Sequence, residues 1–121
     1  MAKYQNDLVL DAALAYISAN ATEYYLCTAQ PTDRATAIST AVVASMAPTF
    51  TGPANGDTSG RKVTIDAESA VAVTASGTAT HLALCSGTTL IYVTTVTSQG
   101  VSSGGTVNVP AWDIEFADVT P

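Results

Sequence analysis

His81 is the only histidine in the chain, and an imidazole is the side chain best suited to proton transfer near neutral pH. Hydrolytic chemistry built on it requires a nucleophile at one ring nitrogen and an acid orienting the other. In THLALC, residues 80–85, strand alternation puts His81 on one side with Ala83 and Cys85. No motif brings a serine or an aspartate there. A hydrogen-bonded structural histidine is the expectation. Cys27 and Cys85 permit one disulfide at most, and neither CxxC nor a zinc-type His/Cys spacing occurs. Both fall in expected strands, YYLCTA and LALCSG, where free cysteine acts as a small buried apolar residue. Reduced thiols are expected. Asn55, Asp57 and Ser59 alternate as oxygen ligands do in a calcium loop, but the terminal bidentate glutamate and further carboxylates are missing. The glycine-rich pieces GDTSG and SSGG lack the GK[ST] ending of a phosphate loop. Asn20-Ala21-Thr22 matches the glycosylation pattern, which has meaning only in a secreted chain. No catalytic, cofactor-binding or metal-binding residue is therefore expected, and no enzymatic activity.

Composition points the same way. The 121 residues are 47% hydrophobic and only 12% charged, against roughly 25% charged in an average domain. A surface built from Thr, Ser, Ala and Gly loses little when a partner covers it, because few ions are desolvated. That favours an assembly subunit, and a stable extracellular monomer with a Thr/Ser-rich coat is the alternative. Four basic against ten acidic residues give a net charge of −6, which argues against a nucleic-acid partner. No apolar run approaches the ~20 residues of a membrane span, and no signal peptide is visible at the N-terminus. A single β-rich domain over residues 1–121, made in the cytosol, is the expectation.

The elements follow from periodicity. Residues 6–18 carry Leu10, Leu14 and Ile17 at helical spacing, with Asn6 or Asp7 to cap and Asn20 to terminate. Residues 1–6 are expected to form an extended arm. EYYLCTA, residues 23–29, reads as a buried strand. Pro31 ends it, and Thr32 caps a short helix over residues 33–40. For residues 41–46, Val42 and Val43 favour a strand and the alanines a helix, and both stay open. Residues 49–60, TFTGPANGDTSG, read as a loop. Val63 and Ile65 alternate with Lys62 and Thr64 in a half-buried strand, residues 66–69 turn, and Val71 and Val73 mark the next strand. Residues 80–96, THLALCSGTTLIYVTTV, form a hairpin around Ser86-Gly87. Residues 98–105, SQGVSSGG, are expected to be a flexible connection. A last strand covers residues 112–117, with Trp112, Ile114 and Phe116 on one face and Asp113 and Glu115 on the other. The fold class expected is mainly β, an antiparallel sandwich or barrel-like domain flanked by one or two short helices.

In order along the chain stand an LxxAxxYI-type helix, YYLCTAQPT, GDTSGRKVTI, SGTATHLALCSGTTLIYVTT and a closing WDIEFAD. This succession resembles the small head decoration, or cement, proteins of tailed bacteriophages, and it covers most of the chain. The matching strings are framework rather than chemical signatures. The resemblance implies a mostly β virion protein on the capsid exterior, made in the host cytoplasm. It implies association as trimers or dimers, the trimer being preferred. Such proteins bridge neighbouring major capsid protein subunits and brace the head against packaged DNA, without cofactor, metal, nucleic acid or membrane. Individual contact residues do not transfer from it.

Exposure and missing local partners single out three contact elements: residues 1–7, 49–60 and 98–105. The competing class is a phage tail or fibre module that recognises a host surface receptor. It predicts that Tyr24, Tyr25, Tyr92 or Trp112 is displayed in a groove, whereas most of these are expected to be buried.

Overall fold

The computed structural model describes residues 6–57 and 60–116. In chain order these form α1 (Asp7–Asn20), β1 (Glu23–Cys27), α2 (Arg34–Thr40), β2 (Phe50–Asn55), β3 (Arg61–Ile65), β4 (Glu68–Ala72), β5 (Gly77–Cys85), β6 (Leu90–Val101), β7 (Thr106–Val109) and β8 (Trp112–Phe116). The protein is mainly β, with antiparallel sheets and two short helices, as expected. The chain divides into two compact units, each discontinuous in sequence.

The first unit gathers Met1–Ala19, Thr49–Ala67 and Pro110–Pro121. Its sheet runs β2-β3-β8, antiparallel throughout. Val63 and Ile65 are buried and Val63 stands opposite Ile114, which is fully buried. The alternation expected for β3 and β8 is observed, with Trp112 and Phe116 half-buried beside Ile114. On α1 the stripe Leu10, Leu14 and Ile17 is buried, and the Arg61 guanidinium donates to Asp11 at 2.8 Å and 3.5 Å.

β2 corrects the expectation of a loop over residues 49–60. Phe50 and Thr51 pair with Ile65 and Thr64, and Ala54 and Asn55 with Lys62 and Arg61, around a bulge. Gly52 occupies that bulge at φ +112, and a Cβ there would stand 3.2 Å from the Lys62 carbonyl. Proline survives at position 53 because β2 is an edge strand, where a missing N–H leaves no ladder bond unmade.

The second unit gathers Asn20–Pro48 and Glu68–Val109. Its main sheet runs β1-β5-β6, and β4 pairs with β7. Along β1 four consecutive residues are buried, from Tyr24 to Cys27, so EYYLC shows no polar alternation because both faces are covered. On one face Tyr25, Cys27, Ala37, Ala83 and Cys85 form a core cluster. On the other, Tyr24 stands opposite Leu84 and Leu26 opposite Leu82. Residues 41–46 are neither helix nor regular strand: Ala41 and Met46 bridge to β1 and Val43 to Val73.

Other boundaries shift. The N-cap of α2 is Asp33 rather than Thr32, because the Asp33 carboxylate reaches both the amide and the hydroxyl of Thr36 at 2.7 Å. Residues 66–69 do not make a complete turn, since β4 starts at Glu68. Residues 98–105 are a connection only in their second half: β6 continues to Val101, and the turn is confined to the residues before β7, with Gly104 at φ +90. The arm over residues 1–6 lies outside the described residues except for Asn6, whose side chain accepts from the Leu8 amide at 2.8 Å and caps α1.

Candidate functional site

His81 sits on β5 opposite Cys27 of β1 and Thr95 of β6. Its Nδ1 is engaged by the hydroxyl of adjacent Thr80 at 2.8 Å. Cys27 is directed elsewhere, towards the Ala37 carbonyl at 3.5 Å, and burial raises its thiol above the ordinary cysteine value. These neighbours do not make an activated nucleophile–imidazole pair, which needs a lowered thiol pKa. Cys27 and Cys85 are both free and buried. Their positions opposite His81 and Glu23 place them at opposite ends of β1, beyond disulfide reach.

The residues of the loose calcium pattern hold protein cations instead. The Lys62 ammonium pairs with Asp57 at 2.7 Å and Asp113 at 3.2 Å. Arg61 donates to the Asn55 side chain at 2.8 Å, and the Asp57 amide donates to Glu115. Ser59 lies outside the described residues. The acidic side of β8 thus faces a basic neighbour, and hydrogen bonding from Thr64 followed by Lys62 holds the Asp113 carboxyl below the usual range.

In the second unit, Arg34 donates to Glu23 at 2.7 Å and the Tyr25 hydroxyl donates to the same carboxylate at 2.5 Å. Burial, reinforced by that hydrogen bond, pushes the Tyr25 phenol up to about 12. Burial, with Glu23 nearby, pushes the Cys85 thiol up to about 11. A raised folded-state pKa means that the native state holds its proton more tightly than the unfolded chain. The resulting stability is complete below the unfolded values, about 8.5 and 10, and is lost as pH rises through the folded ones. Thermal melts therefore show a falling midpoint between pH ~9 and ~12, a loss on the order of 3 kcal/mol from the tyrosine. In Tyr25→Phe, which has no phenol to ionise, that part of the fall disappears.

The surface feature that the sequence reading passed over lies on α1. With Leu10, Leu14 and Ile17 turned inward, the exposed residues between the helix ends Asp7 and Asn20 are Leu8, Val9, Ala12, Ala13, Ala15, Tyr16 and Ala19. Leu8 is 75% exposed, Val9 58% and Tyr16 64%. Leu8, Ala12 and Tyr16 repeat at four-residue spacing and make one stripe, with Val9 and Ala13 beside it. The charged residues of α1 are Asp7 and Asp11, and Asp11 is paired with Arg61. Single exposed apolar side chains are ordinary, but a contiguous, uncharged patch of them marks an interaction surface. The signal was available: α1 contains no charged residue after Asp11, so its second face is as apolar as its first.

Charge is sparse in the second unit too. Its segments contain only Glu23, Asp33, Arg34 and Glu68, and no Asp, Glu, Lys or Arg occurs from Ser69 to Trp112. Among the described residues, no helix is long and apolar enough to cross a membrane. Comparison with protein-family models, with curated protein sequences and with solved structures finds no match to this chain.

Proposed function

We propose that this protein is a virion structural subunit, a capsid decoration or cement protein of a tailed bacteriophage. In this reading it sits on the capsid exterior, binds major capsid protein and bridges adjacent subunits as a homo-oligomer, without catalysis. The observation that supports it is the exposed face of α1, where Leu8, Val9 and Tyr16 are more than half exposed with no charged side chain among them. Burying a large apolar side chain contributes about 1.5–3 kcal/mol, so covering this helix supplies a useful contact at small desolvation cost. Bridging multiplies it: once one contact forms, the next is effectively intramolecular, and modest interfaces give firm attachment.

The receptor-binding alternative asks that Tyr24, Tyr25, Tyr92 or Trp112 be displayed. Tyr24 and Tyr25 are buried, and Tyr92 and Trp112 are half-buried, so none of these four favours it. Sedimentation of the purified protein with empty and DNA-filled heads tests the proposal. Saturable attachment at a fixed ratio to capsid subunits is expected, and a protein that stays in the supernatant at every concentration overturns it.

A further inference from the structure

We draw no further inference here: the strongest candidate, the uncharged apolar surface patch that Leu8, Val9 and Tyr16 form on the outer face of α1, belongs to the contact face already described, and nothing in the structure shows what covers it.

Discussion

Leu8→Glu/Val9→Glu lowers attachment to capsids by at least about 100-fold while leaving the thermal midpoint within a degree or two of wild type. Both side chains lie in the first turn of α1 and are mostly solvent-exposed, at 75% and 58%, so the folded monomer loses little packing. Acidic groups in a first turn also complement the helix dipole, and glutamate is a better helix former than valine. Surface changes of this kind fall within about 0.5 kcal/mol. In a covered interface the balance reverses. Two apolar side chains no longer transfer out of water, and two carboxylates must be desolvated, so at least about 3 kcal/mol is lost, equivalent to the stated factor. Titrating heads with labelled protein measures it. Loss that persists at high salt identifies a lost apolar contact, since long-range repulsion is screened there. Wild-type occupancy by the double variant would remove α1 from the interface.

What could be read from the sequence, and what could not, follows from how far the determining contacts reach. The buried stripe of α1, the alternation in β3 and β8 and the β5–β6 hairpin are encoded within a few residues, and all three were legible. β2 was hidden by its own composition: Gly52, Pro53 and Asn55 are turn formers, and only pairing with β3 makes FTGPAN a strand. The distal part of β6 was hidden in the same way, since Gln99, Gly100 and Val101 gain strand geometry from Ala79, Thr78 and Gly77. β7 is too short to announce itself, and it exists through Val107 and Val109 opposite Val71 and Glu68. No local pattern marks the division into two units, because each is assembled from segments far apart in the chain, as in the pairing of Val63 with Ile114.

The exposed face of α1 was missed for another reason. Periodicity identifies the stripe that is buried, and the search for a helix stops once Leu10, Leu14 and Ile17 supply one. The informative question is what remains after those three are assigned. On an ordinary surface helix the remainder is mostly charged; here the charges are Asp7 and Asp11 alone, and most of the rest is Leu, Val, Ala and Tyr. The three contact elements expected from the sequence were chosen for exposure and missing local partners. Half of each of two of them belongs to strands, β2 and β6, while most of the third lies outside the described residues.

Leu84→Ala destabilises the protein by about 2–5 kcal/mol, the range for emptying a packed leucine site. Leu84 has no solvent exposure and stands between Tyr24, also fully buried, and Tyr92. Large rings on rigid neighbouring strands cannot collapse into the space that a leucine leaves, so most of the cavity persists and the cost falls toward the upper end. Against a total of about 5–15 kcal/mol, such a loss lowers the midpoint by roughly 10–20 °C at this chain length. Leu84→Met, which conserves volume, costs less than about 1.5 kcal/mol. Denaturant titration measures both, and an alanine variant within 1 kcal/mol of wild type would mean that the β1–β5–β6 sheet is not packed as described. The pair of experiments separates two roles for apolar residues in one chain. Leu84→Ala weakens the fold, and attachment suffers only through the fraction unfolded; Leu8→Glu/Val9→Glu spares the fold and removes attachment. The buried leucine holds the protein together, and the exposed one is available to hold it to something else.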